Sequence, residues 1–588
     1  MKLSDYVAKF LEQKKITHSY VVTGGCAVHL IDSISKRKKI SYIPVQHEQS
    51  GAMAADAHAR VSNNISSVIA TSGPGATNLL TGICCSYYDS IPVLAITGQV
   101  PTGQLKGSSK SRQIGFQETD VVSIFKSVTK YAKLVTDPNL IRYELEKAYH
   151  IAMSGRKGPV LLDICDDIQR AVIDPKKLKK YLPPKQNEKK SLTSSEKDKL
   201  IRLIHNAKRP VLIVGAGVRL SNTINACEKL IKTLNIPFTL TWGAMDIFSH
   251  KNSLFVGSFG VTSGRAGNFA VQNSDLILTL GTRLDTHEVG SNIKTFAREA
   301  KRIVVDLDPA EQKKYKKMGF SVNLLLTMSL ENFLPEINKL KLNKFNINPW
   351  LEKIKKWKTS YISCDSDSAN QKKFINPYFF MQELSKGLKP NTNVITDCGS
   401  NLIWTMQGLP VKTSQRVISA WNHSPMGYAL PASIGPAFFE PNKPTICISG
   451  DGGLQMNIQE LATIFKHNLN IKIFVMNNHC HGIIQGTQQA WLDGKYCASD
   501  PEIGKLPDPD FSKIANAYGI PSRDVRSHSQ LIKVLPNILD KKGPELINIH
   551  MEKKSQIYPK LLFGRPIEDS HPLLDRDEFN TQMIIKTI

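Results

Sequence analysis

One stretch of this 588-residue chain limits its possible folds more than any other: Ile448 to Asn478, ISGDGGLQMNIQELATIFKHNLNIKIFVMNN. An apolar run from Thr445 stops at Gly450-Asp451-Gly452-Gly453, where glycines permit backbone geometry and close approaches that side chains would block. Leu454, Ile458, Leu461 and Phe465 then recur at helical spacing, and Ile471 to Met476 forms a second apolar strand ending at Asn477-Asn478. The pattern predicts strand, turn, helix, strand. Parallel strands ending side by side would bring Asp451 and Asn478 together at their carboxyl ends, the edge at which open α/β sheets bind ligands. One carboxylate, one amide oxygen and exposed backbone make a hard-oxygen site. Such a site suits Mg²⁺ held jointly with a diphosphate, because this ion takes few protein ligands and relies on phosphate oxygens.

The rest of the chain repeats the same style. Tyr20–Val22, Tyr42–Val45, Ser67–Ala70, Val93–Ile96 and Val160–Asp163 read as strands separated by helices, which argues a parallel sheet covered on both faces. A second series, Val211–Val214, Phe238–Leu240, Leu276–Leu280 and Ile303–Asp306, follows a Lys-, Pro- and Ser-rich linker spanning Pro175 to Lys199. A Lys- and Asn-rich connector, about 341–372, leads to the third unit. The expected fold class is therefore α/β, with three doubly wound parallel-sheet domains at 1–172, 190–340 and 373–552 and a C-terminal tail at 553–588.

Composition narrows the class of protein. The ten cysteines form no CxxC pair, so reduced thiols and a cytoplasmic location are expected. The opening residues form an amphipathic helix without a signal-peptide core, and no run reaches membrane-spanning length, so no membrane partner is expected. The formal net charge of +25 is spread over helices and linkers without interleaved aromatics. No nucleic-acid partner is therefore expected, although anionic ligands gain association rate from such a field.

Three further motifs carry a resemblance. They are His47-Glu48-Gln49-Ser50-Gly51-Ala52, Thr71-Ser72-Gly73-Pro74-Gly75-Ala76-Thr77-Asn78 and Gly115-Phe116-Gln117-Glu118. In that order, ahead of Gly-Asp-Gly and Asn-Asn, they resemble the acetohydroxyacid (acetolactate) synthase family of thiamine diphosphate enzymes. The resemblance implies a pyrimidine-binding first domain, a central domain and a diphosphate-binding third domain. It implies that Glu48 is the catalytic glutamate, hydrogen-bonded to the aminopyrimidine so that the thiazolium carbon can lose its proton. Gly25, Thr71, Pro74 and Asn78 would line the pyrimidine side, and Phe116 and Gln117 would meet substrate. On the other side Gly399, Ser400, Asn401, Asp451, Gly452, Gly453, His481, Gly482 and Ile483 would surround the diphosphate. Asp451, Asn478 and the carbonyl of Cys480 would hold the metal. Ser424 and Met426 would bind the pyrimidine, with Met426 as a wedge that bends the cofactor.

The implied reaction is a decarboxylating carboligation. Pyruvate or a similar 2-oxo acid loses CO₂, and the remaining unit adds to a second carbonyl compound. Relatives assemble as dimers or tetramers with active sites shared between subunits, which implies a homo-oligomer here. Departures from the family cluster where the acceptor would bind. His287 stands for an arginine, Asp166 for a lysine and Thr487 for a tryptophan, and the loop Gly103–Ile114 is longer. Losing two cations suited to carboxylates and one bulky ring favours an acceptor larger than a short 2-oxo acid, such as a keto-sugar nucleotide. Drift with the synthase-like reaction kept is the equal reading; two-carbon transfer to such a keto-sugar nucleotide, or a simple decarboxylase or oxidase, are the alternatives. Gly215-Ala216-Gly217, Gly281-Thr282-Arg283 and Asp306-Leu307-Asp308 resemble the region that holds FAD in flavin-containing members. Thr262, where histidine is expected, and Val322-Asn323, which lack an expected acid, weigh against flavin.

Overall fold

A computed structural model describes residues 1–184 and 190–588, so part of the expected linker, 185–189, lies outside the described residues. Three six-stranded sheets follow one another along the chain, and every strand pair within them is parallel. The first holds β1 His18–Val21, β2 Ser41–Pro44, β3 Ser66–Ala70, β4 Val93–Gln99, β5 Tyr131–Val135 and β6 Val160–Cys165, in the order β2-β1-β3-β4-β6-β5. The second holds β7 Pro210–Val214, β8 Phe238–Leu240, β9 Phe255–Ser258, β10 Leu276–Leu280, β11 Lys301–Asp306 and β12 Leu324–Thr327, in the order β12-β11-β10-β7-β8-β9. The third holds β13 Asn393–Thr396, β14 Arg416–Ile418, β15 Thr445–Gly450, β16 Ile471–Asn477, β17 Ser522–Val525 and β18 Glu545–His550, in the order β14-β13-β15-β16-β18-β17. The first and third sheets thus share one topology. Central strands such as β4, β10 and β16 are buried along their whole length, as expected when helices cover both faces.

The first and third units share a hydrophobic core. Helix Glu48–Ser62 lies against helix Ala429–Phe439 so closely that a Cβ on Gly435 would stand 2.2 Å from the carbonyl oxygen of Ala54. Beside this contact Arg60 donates to Asp56 at 2.8 Å and to Asp89 at 2.7 Å, and Tyr428 donates to Asp56 at 2.6 Å. Buried charges are costly unless paired or hydrogen-bonded, and pairing of this kind offsets that cost.

Three local features differ from the sequence reading. The linker ends earlier than its composition suggests, because Thr193 and Glu196 form a capping box that starts a helix at Ser194. The connector contains helix Asn348–Ser360, whose Trp350, Ile354 and Trp357 join the central core together with Ile567 and Phe579 of the tail. The helix expected after Gly453 starts at Asp451 itself and breaks at Asn457 into two short pieces, Asp451–Met456 and Leu461–Lys466. The break has a cause. The Asn457 side chain leaves the helix to donate to the Gly427 carbonyl at 2.8 Å, and it accepts from Ser50 at 3.1 Å and Gln49 at 3.3 Å.

One buried acid sets a pH response. Asp163 on β6 is 1% exposed, accepts from Thr97 at 2.7 Å and Gln99 at 2.9 Å, and is pushed up to about 7 by burial. The folded state therefore holds this proton more tightly than the unfolded chain, so its contribution is full below about pH 4 and is lost as pH rises towards about 7. The cost reaches up to about 4 kcal/mol at the alkaline end. Thermal unfolding followed across that window should decline more steeply in the wild type than in Asp163→Asn; equal slopes would contradict this assignment.

Candidate active site

At the carboxyl end of the first sheet, β2 delivers Glu48 to the first position of its helix, where the positive end of the helix dipole favours a carboxylate. Its side chain is 8% exposed and accepts from Asn78 Nδ2 at 2.9 Å. The Thr71–Asn78 turn packs around it: a Cβ on Gly75 would lie 3.2 Å from Glu48 Oε1 and 2.8 Å from Thr71 Cγ2. Thr71 Oγ1 accepts from the Cys26 amide at 3.2 Å. The glycine that this packing requires is Gly24, whose Cβ would stand 2.5 Å from Thr71, while Gly25 faces open space. Gln117, at φ 63°, backs onto the Gly73 turn, and Pro74 and Phe116 are exposed, Phe116 by 84%. Glu48, Thr71, Asn78 and Gln117 are thus gathered on one face that opens to solvent.

The third unit gathers a second set at the ends of β13, β15 and β16, next to the point where the strand order reverses. Asp451 is buried and accepts from the Gly452 amide at 2.7 Å and the Cys480 amide at 3.2 Å. Burial pushes its carboxyl up to about 6. Asn478 is buried beside it and donates to Cys480 Sγ at 3.2 Å. The Cys480 carbonyl accepts from the Gly482 amide at 3.0 Å. A Cβ on Gly452 would stand 2.4 Å from His481 Nε2 and 3.1 Å from the Met426 methyl, so His481 and Met426 close over Gly452 from two directions. Burial lowers the His481 imidazole. Gly399, at φ 88°, leads into helix Ser400–Gly408, whose first amides carry no side-chain cap, the state in which a helix start can receive an anion. Ser424 sits at φ 49° just before Met426.

Other expected residues lie apart. Ile483 and Thr487 are exposed on helix Gly482–Trp491, which buries none of its side chains. His287 stands in a cleft of about 440 Å³ bounded by all three units, its ring 4.1 Å from Trp242 and its Nε2 3.3 Å from Thr262 Oγ1. Burial lowers this imidazole, so it offers no standing positive charge where arginine was expected. Asp166 is matched by Arg170 at 2.8 Å.

Among the described residues no hydrogen bond joins Glu48 to Asp451, Asn478 or Met426. The link between the two sets runs through residues that the motifs did not single out. Asn457 ties Gln49 and Ser50, beside Glu48, to Gly427, beside Met426, and Glu460 accepts from the Gln46 amide at 2.9 Å. The one available signal was a polar Asn interrupting an apolar helical period.

Residues 1–124 match the N-terminal TPP binding domain of thiamine pyrophosphate enzymes, 198–331 their central domain and 397–549 their C-terminal TPP binding domain. Along almost its full length the chain is 34% identical to the acetolactate synthase large subunit of Cyanidium caldarium, covering 94% of both proteins. The chain belongs to the acetolactate synthase family of thiamine pyrophosphate enzymes. It is also 31% identical to acetolactate synthase of Arthrospira platensis, over 95% of this chain and 96% of that one. With chloroplastic acetolactate synthase 1 of Nicotiana tabacum it shares 30% identity over 97% of this chain and 84% of the relative. As in this family, the three sheets are the N-terminal, central and C-terminal domains, and the enzyme is thiamine diphosphate-dependent.

The residues present fit that cofactor. Asp451 is a buried acid with only backbone partners, and it gains most from a nearby cation. Among the described residues no group of three His, Cys, Asp or Glu side chains gathers to hold a metal. The central cleft fits FAD less well. Gly215 and Gly217 are glycines because a Cβ on either would stand within 2.8 Å of Gly281 backbone. Of the cleft arginines, Arg60 pairs with Asp56 and Asp89, Arg156 with Asp308 and Glu311, Arg219 and Arg416 with Asp246, and Arg283 with Asp285, whereas Lys157 joins no ion pair among the described residues. No described helix is long and apolar enough to cross a membrane.

Proposed function

We propose that the chain decarboxylates pyruvate or a similar small 2-oxo acid and joins the remaining unit to a second carbonyl compound, as its synthase relatives' names imply. The reading rests chiefly on full-length identity to acetolactate synthases together with Asp451, Asn478, Gly452 and Met426 converging at the ends of β13 to β16. When bound, thiamine diphosphate supplies a carbon nucleophile and an electron sink. Asp451, Asn478 and the Cys480 carbonyl would hold Mg²⁺, while the open amides of Gly399, Ser400 and Asn401 would receive the diphosphate. Met426 would support the bend between the two rings, with Ser424 beside the pyrimidine. Glu48, kept dry and oriented by Asn78, would hold a proton at the pyrimidine ring nitrogen and return it in each cycle.

The Glu48 face is open in one chain, and Phe116 and Pro74 on it are exposed. The reading therefore places the Asp451 set of a second copy against it, making a homo-oligomer with shared sites. Phe116, Gln117 and Thr487 would then border the substrate, and His287 would lie in the adjoining cleft. Incubation of the purified protein with pyruvate, Mg²⁺ and thiamine diphosphate, followed by mass spectrometry, tests the reaction. A product with a new carbon to carbon bond is expected; acetaldehyde or hydrogen peroxide alone would refute it.

Flavin takes no part in this reading, because every arginine that a diphosphate would meet in the cleft is already committed to a carboxylate, which leaves Lys157 alone to receive it. The absorption spectrum of the purified protein should lack a flavin band. Stoichiometric flavin would contradict that.

A further inference from the structure

Asp397 ends β13 with an acid in an otherwise apolar strand, and it is fully buried. Among the described residues it joins no ion pair, and burial pushes its carboxyl up to about 6 against the pull of several donors. Those donors come from three separate segments. The Cys398 amide, on the way into helix Ser400–Gly408, donates at 2.8 Å. The Gly427 amide, next to Met426, donates to both oxygens at 3.0 and 3.1 Å. Ser449, two residues before Asp451, donates its hydroxyl at 3.0 Å. Gly453 completes the enclosure, since a Cβ there would stand 2.9 Å from Asp397 Oδ2 and 3.2 Å from Ser449 Oγ.

A buried carboxylate held only by neutral donors is costly, and it persists where those donors gain a defined geometry from it. Each donor segment carries a different part of the cofactor site. Cys398 leads to the diphosphate helix, Gly427 fixes Met426 and Ser449 fixes the start of the Asp451 turn. Gly427 is confined to glycine: it sits at φ 87°, and a Cβ there would fall 2.5 Å from Met456. Asn457 holds the carbonyl of the same residue at 2.8 Å, so both polar backbone atoms of Gly427 are fixed by side chains.

We infer that Asp397 is a positioning residue for the cofactor, setting Met426 against Asp451 so that the bend and the metal are presented together. The inference rests on the reading above, in which Met426 and Asp451 contact thiamine diphosphate and Mg²⁺. It adds an acid that touches neither.

Full-length Asp397→Asn and Ser449→Ala test it. Thiamine diphosphate affinity would be measured by calorimetry at saturating Mg²⁺, ring stacking of the bound cofactor by near-ultraviolet circular dichroism, and kcat at saturating cofactor. Asp397→Asn removes the charge that several donors share, so affinity should fall by about tenfold or more, with an altered dichroism band and lower kcat. Ser449→Ala, which removes one donor, should weaken affinity by about threefold and serves as the probe if the first variant does not fold. A purely structural acid would lower the melting temperature alone. Affinity, band shape and saturated kcat all unchanged in the folded variants would overturn the inference. Failure of the wild type to bind thiamine diphosphate would instead overturn the reading beneath it.

Discussion

Glu48→Gln should lower kcat by about 10²- to 10⁴-fold, the usual worth of a positioned acid–base group, while cofactor affinity changes by no more than a few-fold. The side chain keeps its size and can still accept from Asn78, which holds the native carboxylate at 2.9 Å. What it loses is the capacity to hold and return a proton. Glu48 is buried at a helix start, so its proton-holding role is tied to that one position. Steady-state kinetics with pyruvate and calorimetric titration of thiamine diphosphate separate the two effects. A variant with unchanged turnover would remove Glu48 from the mechanism.

Asp451→Asn should weaken Mg²⁺-dependent binding of thiamine diphosphate by about 100-fold, or about 3 kcal/mol, because the amide gives the cation no charge-assisted bond in a buried site. The apoprotein should respond very differently. Burial raises the Asp451 carboxyl to about 6, so in the cation-free protein its charge is a burden that grows as pH rises from about 4 through about 6. Above that range the apo variant should melt no lower than the wild type. Calorimetry and thermal unfolding together distinguish a missing metal ligand from a damaged fold. Equal affinity for cofactor in variant and wild type would exclude Asp451 as the metal ligand.

How far the sequence discloses this molecule depends on where each residue sits. Interior strands such as β4, β10 and β16 are mostly apolar because both faces are covered, and they are legible at once. The strands without such a signal are β5, β9, β12, β14 and β17, all of which lie at sheet edges. There, one side faces solvent or a loop and the apolar run is short. β18 is interior but mixes Glu545, Asn548 and His550 with its apolar residues, which hides it.

The candidate site divides similarly. Asp451, Asn478 and Glu48 stand at strand ends in motifs whose spacing reports the chemistry. Asp397 and Asn457 act through residues distant in sequence, Gly427 among them, so no local pattern reveals them. Gly24 rather than Gly25 is the sterically required glycine, a distinction visible only once Thr71 is placed against it. His287 and Thr487 were expected near one substrate, yet one lies in the interdomain cleft and the other on an exposed helix.

On the proposed assembly, Glu48 of one copy and Asp451 of another would act on a single cofactor. Mixing Glu48→Gln with Asp451→Asn chains, dissociating them and letting them reassociate tests it directly. Each mixed dimer would carry one site with both native residues, so about a quarter of wild-type activity should return from two inactive proteins. If both residues served a cofactor within the same chain, every site in the mixture would lack one of them. No recovery, in a mixture proven by mass spectrometry to contain hybrids, would contradict the account.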